Sequence, residues 1–452
     1  MFEFDSAFLL AYAVAAPAVL FLAFSAAWLI GWEPREKVMT RGTNLTLVSS
    51  LVALLYIAFS LFTQGKTQLA VELGDWFHSG DYHFPLTLYV DRLSLPLVTL
   101  TILLAGLIGS FSRRYLHRDR GFFRFFLLLN LFAFGASLVF TAGAFDLLLG
   151  GWELVGISSV LLIGFFNERV APIQNALRVF GFYRIADLGL LLGIFLLHHV
   201  AGSTAATALF QGQWPYQTSS LSLGSVTAIG LLFLLAASGK SAQLPFCSWL
   251  PRAMEGPTPS SAIFYGAISV HMGAYLLLRI QPILMLSPIA AGAAVVIGLT
   301  TAFLGTLSHR VSADVKTSLA YASMTQLGLI FAEIGLGLSW LALLHIIGHA
   351  LVRTLQFLRA PSMLHDYHRM HSAAYGHLGE TGKHYNSFVP APLQLWLYRM
   401  GLERGYLDPV IDRYVIAPTL KLASALAMFE PKRDPVSTVR NPAEQLVGES
   451  DA

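Results

Sequence analysis

The chain has 452 residues, of which 55% are hydrophobic and only 12% charged, with a net charge of +3 at pH 7 and one cysteine, Cys247. An ordinary soluble domain carries about a quarter charged residues, so a water-soluble fold could not cover its surface with these, and most of the chain belongs in lipid. The lone cysteine excludes an internal disulfide framework and any CxxC metal or cluster site, and the small net charge gives no argument for nucleic acid.

Apolar runs long enough to cross about 30 Å of hydrocarbon, which takes roughly 20 residues, predict spans over 7–31, 43–63, 94–112, 122–141, 145–166, 176–199, 222–247, 258–280, 286–308, 312–335 and 338–358. That is about eleven helices in one domain, 1–358. The fold class expected is all-α, a polytopic transmembrane bundle of about 11–13 helices in which some are broken. The first run has no n-region followed by a small-residue cleavage site and is expected to stay as a span.

Basic residues collect after the first span (Arg35, Lys37, Arg41), after the third (Arg113, Arg114, Arg118, Arg120, Arg124) and after the eleventh (Arg353, Arg359). By the positive-inside rule these loops face the cytoplasm and the amino terminus is external. The polar stretches 64–92 and 200–221 are expected as far-side loops. Segment 359–390 reads as a cytoplasmic loop, so that His365, His368 and His371 are solvated there. Segment 391–429 reads as an amphipathic interfacial helix or a short last span, and 431–452 as a disordered tail.

Ionisable residues inside the bilayer are costly and mark function by default. Span 5 holds Glu153, and span 6 holds Arg184 and Asp187, three apart on one helical face. Span 7 holds Lys240 in Ser238-Gly239-Lys240-Ser241-Ala242-Gln243-Leu244-Pro245, where the proline opens the helix and a hydrated pocket is expected. Span 10 opens on Asp314 and Lys316 and continues as a polar stripe, Tyr321, Ser323, Thr325 and Gln326. In span 11, His345, His349 and Arg353 follow one another at four-residue steps along one face. Glu and His sit near neutral pH after modest perturbation, and a desolvated Lys can lose its proton, so the chemistry these residues suit is proton relay. A structural role stands beside it: Glu153 pairing with Lys240 to hold two helices, and Arg184 with Asp187 as an ion pair that tunes Lys240. For His345 and His349 no third ligand of suitable spacing is evident, so no metal site is expected.

These motifs resemble the proton-pumping membrane subunits of respiratory complex I, of the NuoL, NuoM and NuoN type, and the large Mrp antiporter subunits. Trp152-Glu153-Leu154-Val155-Gly156 is similar to the family's fifth helix, Tyr183-Arg184-Ile185-Ala186-Asp187 to its sixth, and Gly239-Lys240-Ser241-Ala242-Gln243-Leu244-Pro245 through Glu255-Gly256-Pro257-Thr258-Pro259 to its central-lysine segment. Asp314-Val315-Lys316 resembles the start of the tenth helix, and His345 and His349 match the two histidines of the eleventh. The resemblance covers about 85–360 and implies an antiporter-like fold and a proton or cation pathway through Glu153, Arg184, Asp187, Lys240, His271, Asp314, Lys316, His345, His349 and Arg353.

Three departures stand out. Tyr265 occupies the eighth-helix position where complex I subunits usually have histidine, with His271 six residues later. Arg353 replaces a lysine able to lose its proton, whereas arginine keeps its charge. The sequence ends soon after span 11, short of the family's further helices. Ser261 to His271, Leu358 to Ser362 and the early end resemble DabB, the membrane subunit of an inorganic-carbon accumulation complex. That resemblance implies a heterodimer with a DabA-like subunit on the cytoplasmic face of a bacterial inner membrane. It also implies zinc in that partner, no cofactor or bond chemistry in this chain, and ion flow that energises hydration of CO2 to bicarbonate.

Overall fold

Each apolar run forms a helix, because a segment in hydrocarbon has no water for its backbone and must satisfy its N–H and C=O groups internally. The computed structural model describes residues 2–79, 82–216, 218–219, 223–373, 389–411, 413–414, 417–418 and 421. In chain order these are α1 (Phe2–Leu29), α2 (Glu36–Thr63), β1 (Leu69–Ser79), β2 (Tyr82–Val90), α3 (Ser94–Tyr115), α4 (Phe122–Thr141), α5 (Phe145–Ile163) and α6 (Val170–Ala201). There follow α7 (Ala206–Leu209), β3 (Phe210–Gln211), β4 (Thr218–Ser219), α8 (Leu223–Lys240), α9 (Trp249–Arg252), α10 (Thr258–Ser261), α11 (Met272–Arg279) and α12 (Gln281–Leu286). Then come α13 (Pro288–Val311), α14 (Val315–Gly335), α15 (Ser339–Ala373) and α16 (Ala391–Leu402). The chain divides into two units, Met1–Gly405 and Tyr406–Ala452, the second containing the short helix α17 (Leu407–Ile411). Among the described residues nine helical segments are long and apolar enough to cross a membrane, and Gly224–Lys240 is a shorter apolar one.

The expected spans all appear as helical segments, and four local expectations change. The stretch 64–92 is an antiparallel β-hairpin, with Leu69 opposite Val90 and Val71 opposite Leu88. Its buried part is the end nearest α3, through Val71, Leu88, Tyr89 and Val90, while Leu73, Trp76 and Phe77 toward the tip are exposed. The stretch 200–221 contains α7 and the short β3–β4 pair. The predicted span 222–247 stops at Lys240, and 241–248 is irregular. The last span continues as α15 through Ala373, so the backbone at His365, His368 and His371 is helical where a loop was expected. The rest of that polar segment, 374–388, and the tail from Pro431 lie outside the described residues.

At 12 residues α16 is about 18 Å long, too short to cross, and it packs on α13, where Ser308 Oγ donates to the Gly401 carbonyl at 3.1 Å. The segment Thr258–Arg279 is buried along its whole length. It is not one α-helix: a π-helical turn over Ala262–Ala267 and a 3-10 turn over Ser269–His271 separate α10 from α11. Close helix approaches are made at glycines. A Cβ on Gly239 of α8 would lie 2.0 Å from the Cβ of Ala186 on α6, so the two backbones meet beside Lys240.

Candidate functional site

Lys240 is the last helical residue of α8, and the chain turns away at once, with Ala242 at a φ of 51°. The freed backbone is satisfied by protein: Trp249 Nε1 donates to the Gly239 carbonyl at 2.9 Å, and the Leu244 N–H donates to Thr301 Oγ1 at 3.0 Å. This is how a broken helix survives at membrane depth. The lysine side chain is 2% exposed. Its Nζ donates to the Trp152 carbonyl at 3.0 Å and lies 5.1 Å and 4.9 Å from the ring centres of Trp152 and Tyr183. The place expected to be a hydrated pocket is walled on these sides by two aromatic faces, which attract a cation without binding it as an ion pair.

The carboxylates are held by a different cation. Arg184 Nη2 donates to Asp187 Oδ2 at 2.7 Å and also to Glu153 Oε2, so one guanidinium joins α5 to α6. Glu153 therefore pairs with Arg184, and the structural reading in which it clasps Lys240 is corrected. Trp152, one residue before Glu153, connects the two halves: its indole N–H donates to Asp187 Oδ1 at 2.7 Å while its carbonyl accepts from Lys240. Because the carboxylates are already bonded to Arg184, the ammonium of Lys240 feels them through space and is the charge least tied by direct contacts. Gly156 keeps this centre compact, since a Cβ there would lie 3.4 Å from Lys240 Nζ.

A second centre forms between the π-turn and α15. His271 Nδ1 lies 2.7 Å from the Ala267 carbonyl, so that nitrogen must be the donor. In the neutral ring Nε2 then accepts, and it lies 2.9 Å from His349 Nδ1. His349 Nε2 in turn accepts from Arg353 Nε at 3.4 Å, while Arg353 Nη1 donates to Gln356 Oε1 at 2.8 Å. The π-turn is what brings His271 to His349, and π-turns inside helices commonly mark functional sites. It also separates His271 from Tyr265, whose hydroxyl lies 3.2 Å from Ser159 Oγ, itself 3.5 Å from the hydroxyl of Tyr183. The two centres are linked beside Lys240 and His271, where the Ser241 hydroxyl donates to the Val270 carbonyl at 2.5 Å.

His345 is not hydrogen-bonded to His349, the ring centres being 6.5 Å apart. Its Nδ1 lies 2.9 Å from Glu333 Oε1 and its Nε2 3.0 Å from Gln326 Oε1, both on α14. Of the polar stripe on α14, Ser323 and Thr325 bond back to carbonyls of their own helix, and Gln326 is turned toward His345.

The tenth-helix pair takes other places. Asp314 is exposed and caps α14, its Oδ2 accepting from the Thr317 N–H at 2.7 Å. Lys316 donates to the Met254 and Gly256 carbonyls at 2.7 and 2.8 Å, closing the backbone of the connection between α9 and α10. These contacts hold a helix start and a broken segment, and they do not bring Asp314 or Lys316 to Lys240 or to the histidines.

Sequence reasoning missed Glu333, although a lone acid in Phe331-Ala332-Glu333-Ile334-Gly335 was a readable signal. It also missed a buried ion pair near the far end of α11. Arg279 Nη1 donates to Asp91 Oδ2 at 2.6 Å and to the Tyr216 hydroxyl at 2.7 Å, and Nη2 donates to the Tyr275 hydroxyl at 3.0 Å. Both charged side chains are 2–3% exposed. Burial pushes the Asp91 carboxyl up, but Arg279 and the Ser94 N–H outweigh it and hold the carboxyl below its ordinary value. No signal at the level of spans links residues so far apart.

A family model described as NADH:quinone oxidoreductase/Mrp antiporter, TM matches residues 144–384, and one described as NADH-ubiquinone oxidoreductase (complex I), chain 5 N-terminus matches 76–126. Among curated proteins, the chain is 34% identical over 334 residues to NADH-quinone oxidoreductase subunit L of Buchnera aphidicola, covering 72% of this chain and 54% of that protein. It is 33% identical over 335 residues to NADH-ubiquinone oxidoreductase chain 5 of Chondrus crispus, covering 72% and 50%. The chain thus spans about half the length of the curated relatives it matches. Among solved structures, a chain of the Mrp complex from Dietzia superposes with a TM-score of 0.66 at 28% identity, covering 78% of this chain and 37% of that one.

Proposed function

Because the chain belongs to the NADH:quinone oxidoreductase/Mrp antiporter transmembrane family, we propose that this multi-pass membrane protein conducts cations, protons by the nature of its donor groups, as the energy-coupling subunit of a larger assembly. The observation that carries the reading is the placement of Lys240. A buried ammonium held by one carbonyl and two aromatic faces, beside two carboxylates already bonded to Arg184, responds to any change in their charge. Such a unit can push a proton on without a large motion of helices.

A partner subunit follows from exposure. The side chains of Arg184 and Glu153 are 38% and 29% exposed on spanning helices, a costly arrangement toward lipid and a natural one beneath a neighbouring subunit. The named relatives favour an assembly of the NADH-quinone oxidoreductase or Mrp kind. The inorganic-carbon reading, with a zinc-bearing DabA-like partner in a bacterial inner membrane, rests on the resemblance of the segments 261–271 and 358–362.

Purification in mild detergent tests both. Co-elution of redox or antiporter subunits supports the first assembly, and co-elution of a zinc-bearing hydratase-like subunit supports the second. In whichever complex is recovered, Lys240→Ala is expected to abolish ion flux into proteoliposomes, and undiminished flux rejects the relay.

A further inference from the structure

We propose that Glu333 and His345, with Gln326 as a reversible partner, form a proton-holding site near the far-side end of the pathway. The proposal rests on the proton-conducting reading and adds to it a residue that the motifs did not supply. Glu333 lies two residues before the end of α14 and His345 seven residues into α15, and the connection over Leu336–Leu338 turns at Gly337, whose φ is 78°. The helix hairpin therefore sets the two side chains at one depth, within about 10 Å of the helix ends.

The bonding determines what the site can do. An ionised Glu333 only accepts, so His345 Nδ1, at 2.9 Å from Oε1, donates. His345 Nε2 lies 3.0 Å from Gln326 Oε1, and with the amide in this orientation Nε2 donates as well. A ring that donates from both nitrogens is an imidazolium, with Glu333 as its counter-ion. Passing the proton breaks the Nδ1–H bond, forms O–H on Glu333 Oε1, and leaves a neutral ring that still donates from Nε2 to Gln326. Rotating the Gln326 amide by half a turn offers its NH2 group to Nε2 and accommodates the other neutral form. Glu333 Oε2 is buried without a hydrogen-bond partner among the described residues, which leaves a second lone-pair position on the carboxylate. Among the described residues, His349 on α15 is the titratable neighbour of His345, with ring centres 6.5 Å apart, and it leads on to His271 and Arg353 on the inner side. The site therefore holds a proton between the histidine line and the far-side end of the helices.

The test is nitrogen NMR on the full chain, histidine-labelled and reconstituted in lipid nanodiscs, at neutral pH. The His345 signal is identified by its loss in His345→Gln. Wild type is expected to show His345 as an imidazolium. Glu333→Gln is expected to lower that population at least tenfold, and Glu333→Asp to keep most of it. Infrared difference spectra on acidification supply a second measurement, a protonated-carboxyl component that appears when the Glu333→Gln spectrum is subtracted from that of wild type. A neutral His345 in wild type at that pH, or an imidazolium that persists in Glu333→Gln, overturns the proposal. Because no transport is measured, the outcome is independent of whether Lys240 relays protons.

Discussion

His271 Nε2 lies 2.9 Å from His349 Nδ1, and the bonds on either side fix which nitrogen carries each proton. The Ala267 carbonyl at one end can only accept and Arg353 at the other can only donate, so every N–H in the line points from Arg353 toward Ala267. Both rings are then neutral with the proton on Nδ1. Nitrogen NMR is expected to show two such imidazoles, and Nε2–H tautomers at both positions would reject the assignment. Arg353→Met leaves His349 Nε2 without its donor, at a cost of about 1–3 kcal/mol in thermal stability.

Trp152 separates two functions within one residue. Trp152→Phe removes the indole bond to Asp187 and keeps both the carbonyl bonded to Lys240 and an aromatic face beside it. Ion flux through the reconstituted complex is expected to fall roughly tenfold, equivalent to about 1.4 kcal/mol, with the protein still folded. Unchanged flux would reduce the indole to packing.

The Asp91–Arg279 pair ties the end of the hairpin to the central broken segment. Asp91→Asn leaves a buried guanidinium without its counter-charge and is expected to cost about 3–5 kcal/mol, while joint replacement by Asp91→Ala and Arg279→Met recovers part of the loss. The folded carboxyl is held below its unfolded value, near 3.9, so its contribution is complete above about pH 4 and is lost as pH falls through the folded value. Melting temperature in detergent, followed from about pH 6 to about pH 2, is expected to drop in wild type and to drop less in Asp91→Asn.

Gly239→Ala tests the close approach of α8 to α6. The added methyl meets Ala186 at 2.0 Å, so the helices must part, and overpacking of this kind costs about 1–3 kcal/mol. The same shift moves Lys240 away from Trp152. Melting temperature and flux are expected to fall together in Gly239→Ala and to recover partly when Ala186→Gly is added. Failure of Ala186→Gly to restore either measurement would place the strain elsewhere.

The sequence by itself determined which segments enter lipid, because hydropathy over about 20 residues is a local property and an unbonded backbone cannot remain in hydrocarbon. It also determined that Glu153, Arg184, Asp187, Lys240, His345 and His349 lie on those segments, whereas the end of α8 at Lys240, short of the predicted 247, did not follow from it. The hairpin was hidden because its strands run through Asp, Glu and His and average to a polar stretch. Pairing was decided only by the tertiary structure. Whether Glu153 meets Lys240 or Arg184 depends on the rotation and depth of three helices, and a shift of one residue turns a helical side chain by about 100°. The same holds for Asp91 and Arg279, 188 residues apart, and for His271, which a single π-turn carries to His349. Glu333, a lone acid in an apolar helix, became a site only when α15 folded back and set His345 against it.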